Sequence, residues 1–226
     1  MGRLTWVADK YRNRVRPWLP ARSEYSRRNG IPVADDKLRL FDRIVPFGTK
    51  GYLPNFKETN SKQLREHVSE GDDVLVIGAG FGVSTVEAAK AVGSSGSVVA
   101  YEANQERFEK ARETISINGV ADRVDIRHGA VGPPSGDFDF DGVEQVDLDA
   151  LEEFDVIEMD CEGAELQILK ETEARPRVFI VETHQEKDWT EYDSVETIEN
   201  LLRSSGYSVE THHGQWVNGL VTGTLK

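Results

Sequence analysis

The amino-acid sequence predicts an α/β fold organised around a mostly parallel sheet. Val74-Leu75-Val76-Ile77 is an uninterrupted apolar run, which suits a strand covered on both faces. Gly78-Ala79-Gly80-Phe81-Gly82 follows at once and opens a helix-compatible segment. From residue 61 onward, strand-like and helix-like segments alternate. This alternation is typical of parallel strands joined by helical crossovers.

The length and charge of the chain limit its organisation and partners. With 226 residues it is long enough for one α/β domain, and too short for a nucleotide-binding domain plus a separate catalytic domain. Residues 1–30 carry a net charge of +6, and because the whole chain carries −13, the remainder carries −19. Such an acidic body repels phosphates, so we expect no nucleic acid partner.

The first segment predicts a basic amphipathic helix that ends near Pro17. Apolar residues recur in it at spacings of three and four, with arginines on the flanks; they are Leu4, Val7, Tyr11, Val15 and Trp18. Three interpretations stay open. The apolar stripe packs on the protein's own core or in a homo-oligomer, residues 3–19 lie on an anionic membrane surface, or the segment is a disordered arm.

Residues 31–60 predict an irregular lead-in, because prolines and glycines interrupt them repeatedly. We expect this lead-in to close over the active site. The chain is therefore divided into residues 1–60, the basic helix and lead-in, and residues 61–226, the main domain.

In the main domain, the sequence predicts helices that alternate with parallel strands, followed by a final hairpin. Helical periodicity indicates five helices, over residues 61–69, 83–92, 105–117, 164–171 and 194–205. Apolar runs indicate five parallel strands, over residues 74–77, 98–102, 123–127, 154–159 and 177–182. Segments 207–211 and 215–224 predict a closing antiparallel hairpin around His212-His213-Gly214.

The glycine turn and the end of the second strand indicate a nucleoside site. Glycines let the backbone approach a ligand closely, and Glu102, at the end of strand 98–102, can accept hydrogen bonds from both ribose hydroxyls. The third glycine is Gly82, whereas a dinucleotide fingerprint needs a glycine where Val83 stands. The pattern G-x-G-x-G instead resembles the usual motif of S-adenosylmethionine (SAM) methyltransferases.

Several linked motifs resemble the FkbM-type methyltransferase family over about residues 60–185. They are VLVIGAGFG, GSVVAYEANQERFEKARETISINGV, HGAVG, VDLDALEEFDVIEMDCEGAELQILK and VFIVETH. The most specific is Asp160-Cys161-Glu162-Gly163-Ala164-Glu165, which is similar to the family's D-x-E-G-A-E. One departure is Val76-Ile77 before Gly78, where the family often has Asp-x-Gly. The resemblance implies a Rossmann-like class I methyltransferase fold, a seven-stranded mostly parallel sheet with a C-terminal antiparallel hairpin.

The expected cofactor is S-adenosyl-L-methionine, and the residues expected to bind it lie after the first four strands. They are Gly78, Ala79, Gly80, Gly82, Glu102, Ala103, Asn104, His128, Gly129, Ala130 and Asp160. Ala103 is small enough to lie along the adenine face. Two alternatives stay open, because Asn104 also suits a helix N-cap alone and His128 also suits a loop histidine with its own partner.

The candidate catalytic residues are Asp160, Glu162, Glu182 and His184, which follow the last two parallel strands. Ligands in open α/β sheets bind at these carboxyl ends. Asp160 is expected to orient the acceptor or the SAM amino group, and His184 has the ordinary pKa best suited to take a proton near neutral pH. For Glu162, capping or dipole stabilisation of the next helix is the alternative.

No metal is expected. Asp160 and Glu182 would supply two ligands of a magnesium site of the catechol-methyltransferase type, but the usual Asp-Asn pair is missing. Asp137-Phe138-Asp139-Phe140-Asp141-Gly142 starts like a calcium loop, yet its twelfth position is Leu148, so an acidic surface loop is favoured. The single cysteine, Cys161, excludes an internal disulfide.

The sequence thus predicts a SAM-dependent methyltransferase that methylates a hydroxyl oxygen. The resemblance alone implies the acceptor class, a small molecule or a glycan. Two alternatives stay open: a catalytically silent SAM-binding or membrane-associated scaffold, and a short NAD-dependent oxidoreductase, which the missing Tyr-x-x-x-Lys pair disfavours. Without a signal peptide or an apolar run of membrane-spanning length, we expect the cytoplasm, with peripheral contact at the inner membrane surface as an option.

Overall fold

The structure is a computed structural model that describes residues 10–43, 51–132, 142–151, 153–184, 194–214 and 217–226. The chain forms two compact units, Met1–Phe56 and Lys57–Lys226. Most of the acidic loop predicted around residues 137–141 lies outside the described residues, as do Leu4 and Val7 of the predicted N-terminal helix.

The described part of the first unit contains five short strands. They are β1 (Ala21–Ser23), β2 (Ser26–Arg28), β3 (Ile31–Val33), β4 (Leu38–Arg39) and β5 (Tyr52–Leu53). β1 pairs with β4, and β2 lies between β3 and β5 in a second small sheet. Asn29 and Gly30, both with positive φ, make the two-residue turn between β2 and β3. Within the predicted lead-in of residues 31–60, the described part is irregular apart from β3, β4, β5 and the start of a helix at Glu58, and these strands of two or three residues are too short to show an alternating pattern.

The described part of the predicted N-terminal helix also differs from the prediction. Tyr11–Val15 forms a π-helical turn and Arg16–Trp18 a 3₁₀ turn. Trp18 is 86% exposed and Val15 is 48% exposed, whereas Arg16 is buried. Its Nε donates to Asp42 Oδ1 at 2.9 Å. The apolar stripe is thus not packed at these two positions, because the buried Asp42 carboxylate draws the arginine inward instead.

The second unit has the predicted seven-stranded sheet. Its strands are β6 (Asp73–Ile77), β7 (Ser97–Glu102), β8 (Val124–His128), β11 (Val156–Met159), β12 (Val178–Thr183), β13 (Tyr207–Gly214) and β14 (Val217–Leu225). The order is β13-β14-β12-β11-β6-β7-β8, in which β14 is antiparallel to both of its neighbours. A separate parallel pair joins β9 (Ala130–Val131) to β10 (Gln145–Val146). The predicted fold class is confirmed.

In the segments that the structure describes, five α-helices accompany this sheet, close to the predicted positions. They are α1 (Glu58–His67), α2 (Val83–Ala91), α3 (Gln105–Ile117), α4 (Glu165–Glu171) and α5 (Val195–Ser204). Asn104 caps α3 and Ser194 caps α5 through their side-chain oxygens, and Gly119 follows α3 with a φ of 70°. Across the described ranges, no helix combines the length and the apolar character needed to cross a membrane.

The strand order fixes where a ligand can bind. β7 and β8 extend the sheet on one side of β6, while β11 and β12 extend it on the other. The chain therefore reverses its direction of winding between β6 and β11, and the crevice at such a reversal opens beyond the carboxyl ends of the strands. The glycine turn after β6 and Asp160 after β11 both lie at this position.

Candidate active site

The glycine turn after β6 depends on close backbone approaches. The amides of Gly78 and Ala79 both donate to the carbonyl oxygen of Tyr101 on β7, at 2.9 Å. Gly78 has a φ of 88°, and a Cβ atom there would collide with the carbonyl oxygen of Asp160. The turn can therefore lie against the end of β11 only because residue 78 has no side chain.

Glu102 is bound to this turn. Its carboxylate accepts a hydrogen bond from the Gly80 amide at 2.6 Å through Oε2, and one from the Asn104 amide at 2.8 Å through Oε1. Burial raises the pKa of Glu102 above its ordinary value, although the two amides oppose that shift. Each carboxylate oxygen keeps a further lone pair, so the group can still accept hydrogen bonds from a ligand.

A cavity lies beside Glu102, and most of the predicted cofactor residues line it. They are Gly78, Glu102, Ala103, Asn104, Gly129, Ala130 and Asp160. Arg107, from the first turn of α3, lines it as well and was not predicted. The carboxylate and the start of the glycine turn thus border a single cavity, as a nucleoside site requires.

Four predicted cofactor residues do not line this cavity. Ala79, Gly80 and Gly82 belong to the supporting turn, where Gly82 approaches Ala111 of α3. His128 Nε2 lies 2.9 Å from the carbonyl oxygen of Ala103, and its ring centroid lies 5.4 Å from that of Phe108, with the two rings tilted by 35°. These contacts agree with the alternative interpretation of His128 as a loop histidine with its own partner.

Three of the predicted catalytic residues meet next to the cavity. The ligand atoms of Asp160, Glu182 and His184 lie within 4.8 Å of one another. His184 Nε2 is 3.4 Å from Asp160 Oδ1. Asp160 also lines the cavity, so it joins the cavity to this acidic cluster.

A lysine that the sequence analysis missed completes the cluster. Lys57 Nζ donates to Asp160 and, at 2.9 Å, to Glu182 Oε2. Asn60, in the first turn of α1, donates from Nδ2 to the same Glu182 oxygen at 3.1 Å. Neither residue carries a sequence signal, since both precede the first strand of the sheet by more than ten positions and belong to no motif.

Burial and charge separate the protonation states of the carboxyl groups. Burial alone would raise the pKa of Asp160, but Lys57 and His184 outweigh it and hold that pKa well below its usual range. For Glu182, burial and the Asp160 charge raise the pKa to about 7 despite Lys57. On β11, burial and the Asp160 charge raise the pKa of Glu158 to about 8. The site therefore holds an ionised Asp160 beside carboxyl groups that titrate near neutral pH.

For Glu162, the structure does not support N-capping of the next helix, whereas stabilisation of that helix's dipole stays a prediction. α4 has Ala164 as its N-cap residue, without a side-chain hydrogen bond. Glu165 instead accepts from the amides of Cys161 and Gly163, at 2.7 and 2.8 Å, and lies 3.4 Å from His184 Nδ1. Glu162, with a φ of 61°, lines the cavity. Glu165 was missed although it closes the D-x-E-G-A-E motif, and it can orient His184.

Asp160, Glu182 and His184 offer the donors of a divalent-cation site. The fit fails at one point, because the Lys57 ammonium already binds the two carboxylates. An ammonium group and a divalent ion cannot share that position. With Lys57 in place, these residues do not suit a metal.

The sheet order, the glycine turn and the Glu102 cavity define a class of protein, the SAM-dependent methyltransferases. Residues 56–169, about half of the chain, match the O-methyltransferase family, and the chain belongs to this family. Residues 140–209 match the methyltransferase FkbM domain, which confirms the predicted resemblance. The cofactor is therefore SAM, and the NAD-dependent alternative does not hold.

A curated protein with a similar sequence is distantly related to this chain. Ribosomal protein L11 methyltransferase of Exiguobacterium sp. is 28% identical over 111 residues, which cover 49% of this chain and 33% of that protein. The chain thus spans about a third of the length of this curated relative.

Solved structures agree in fold. An O-methyltransferase from Bacillus cereus, in complex with SAH, has a TM-score of 0.54 at 20% identity, covering 75% of this chain and 80% of that one. A putative rRNA-methylase from Clostridium thermocellum has a TM-score of 0.53 at 16% identity, covering 74% and 94%. At these identities the likeness shows the shared fold alone.

Proposed function

We propose that the chain transfers the methyl group of SAM to a hydroxyl oxygen of a small-molecule or glycan-type acceptor. The observation that carries this proposal is the double role of Asp160. It lines the Glu102 cavity, and it contacts Lys57 and His184 in the acidic cluster. A cofactor in the cavity would therefore present its methyl group next to residues that can bind and deprotonate an alcohol.

The proposed reaction is an in-line displacement. Bound SAM would supply an activated methyl group: the acceptor oxygen would displace the sulfur at the methyl carbon, and S-adenosylhomocysteine would leave with the electron pair of the broken carbon–sulfur bond. Because the sulfonium is already activated, the protein's contribution is alignment, exclusion of water and removal of one proton. His184, which is 6% exposed and lies beside Asp160 and Glu165, takes that proton. Glu182, whose pKa is raised to about 7, is the alternative acceptor for this proton.

The cofactor contacts follow from the cavity. Glu102 accepts hydrogen bonds from the ribose hydroxyls, and Ala103 borders the adenine. Gly129 and Ala130 form the far side of the adenine pocket. Support for these roles comes from their shared lining of the cavity and from the buried, amide-bonded state of the Glu102 carboxylate.

The test is methyl transfer from SAM with a labelled methyl group to a panel of alcohols, sugars and glycan extracts, with ribosomal protein L11 as a protein acceptor. We expect label in an ether that survives mild base, whereas a methyl ester would release methanol. His184→Asn should lower kcat by about 10² to 10⁴-fold. His213→Asn, on an exposed histidine of β13, is the matched control.

Two results would contradict the proposal. Label found only on nitrogen or on a carboxyl group would refute transfer to a hydroxyl. Tight SAM binding without turnover of any acceptor would favour the silent scaffold.

A further inference from the structure

Lys57 occupies an unusual position in the acidic cluster. It precedes α1 with a left-handed backbone, φ 46°, which is uncommon for a residue with a long side chain. Its side chain is 24% exposed, and its ammonium group bonds to carboxylates 103 and 125 residues away in the sequence. The start of α1 is thereby tied to the ends of β11 and β12.

The surroundings of Lys57 Nζ resemble the coordination shell of a cation. Asp160 and Glu182 bind it from two strands, and the nearest ligand atom of His184 lies within 4.8 Å of theirs. Two carboxylates and an imidazole are a common ligand set for divalent ions. A buried pair of carboxylates needs positive charge, and here an ammonium group supplies it.

We propose that the Lys57 ammonium is the resident cation of this cluster, and that it makes the site independent of divalent metal ions. Lys57 is a positioning residue in this role. It donates to both carboxylates and thereby fixes Asp160 and Glu182 relative to each other.

A second consequence rests on the proposed function. An ammonium group has three N–H donors. Two of them go to Asp160 and Glu182, and no other side chain among the described residues accepts a hydrogen bond from the third. The third donor can bind the acceptor oxygen and stabilise the negative charge that develops there as its proton leaves.

The test measures Mn²⁺ binding to the full chain, by calorimetry and by the loss of the free-ion paramagnetic resonance signal. It needs neither SAM nor an acceptor. Wild type and Lys62→Met, which removes an exposed lysine of α1, should bind no Mn²⁺ at this cluster. Lys57→Met removes the ammonium group but keeps a long, unbranched side chain. This variant should gain one Mn²⁺ site, and the double variant Lys57→Met/Glu182→Gln should lose that site again.

Methyl-transfer activity is measured with wild type and the Lys57 variants. Methyl transfer by wild type should be unaffected by a chelator. Lys57→Met should lose about 10²-fold in kcat with an unchanged KM for SAM. Lys57→Arg keeps a cation, so it should fold and retain part of the activity without binding Mn²⁺.

Binding of Mn²⁺ by wild type that Glu182→Gln removes would overturn the proposal. So would a folded Lys57→Met variant that binds no Mn²⁺. If Lys57→Met is unstable, Mn²⁺ should raise its melting temperature but not that of wild type, and no such rise would also refute it. Because the Mn²⁺ measurements require no turnover, failure to find an acceptor would contradict only the proposed function.

Discussion

Glu102 and Gly80 are joined by a 2.6 Å hydrogen bond from the glycine amide to the buried carboxylate. The bond connects the end of β7 to the turn after β6, 22 residues earlier in the chain. The carboxylate is thereby fixed before any ligand arrives. Preorganisation of this kind lowers the entropy lost on binding, so Glu102 should contribute strongly to cofactor affinity.

Glu102→Ala should weaken binding of S-adenosylhomocysteine by about 10 to 100-fold. Hydrogen bonds to a charged group are worth about 1.5 to 3 kcal/mol, and the ribose would lose them. Isothermal titration calorimetry checks the result. Glu106→Ala, which changes an exposed glutamate of α3, should leave the affinity unchanged. Equal affinities of Glu102→Ala and wild type would remove Glu102 from the site.

Gly78→Ala should destabilise the second unit by more than about 1 kcal/mol. The new Cβ would meet the Asp160 carbonyl oxygen, and the φ of 88° is strained for any other residue. Gly80→Ala is the matched control, because a Cβ there meets nothing within 4 Å and only the backbone strain remains. Urea unfolding of both variants makes the comparison. A smaller loss for Gly78→Ala than for Gly80→Ala would contradict the packing described.

Glu158→Gln should make stability less dependent on pH. Burial and the Asp160 charge raise the pKa of Glu158 to about 8, whereas it is about 4.3 in an unfolded chain. The folded state therefore holds the extra proton, and its stabilising effect is complete below pH 4.3 and is lost as pH rises through 8. The slope from this group is at most about 1.4 kcal/mol per pH unit.

Urea unfolding between pH 5 and 9 measures this effect. Glu158→Gln should match wild type most closely at pH 5 and exceed its stability at pH 9. Glu106→Gln, at an exposed position, serves as the control. Parallel curves for wild type and Glu158→Gln would show that Glu158 does not titrate in this range.

Arg16→Met should cost the first unit about 3 to 5 kcal/mol, because it leaves the fully buried Asp42 carboxylate without its main partner. The double variant Arg16→Met/Asp42→Leu should recover much of that loss, since it removes both charges. A double-mutant cycle from denaturant unfolding tests this coupling. Additive losses in the cycle would mean that the ion pair does not hold this unit together.

The sequence predicts the centre of the second unit well because β6, β11 and β12 are buried on both faces and read as mostly apolar runs. Val74–Ile77 and Phe179–Val181 are examples, and glycine or asparagine marks the neighbouring helix ends. The same reasoning finds Glu102, since the carboxyl end of a parallel strand next to a glycine turn is a position set by topology. For these strands and for Glu102, the local sequence pattern predicts the position that the residues have in the folded structure.

Other features depend on contacts that no local pattern encodes. Lys57 reaches its partners across 103 and 125 residues, and in the sequence nothing distinguishes it from the other lysines. The strands of the first unit are too short for periodicity, although the Asn29-Gly30 turn was a usable signal. Arg16 violates the amphipathic pattern because Asp42, 26 residues away, binds it inside.

The most direct test of the account is a crystal structure after soaking with S-adenosylhomocysteine. We predict its ribose hydroxyls within hydrogen-bond distance of the Glu102 carboxylate, its adenine beside Ala103 and Gly129, and its sulfur facing Asp160. Cofactor density elsewhere, or a Glu102 cavity that stays empty at saturating ligand, would contradict the account.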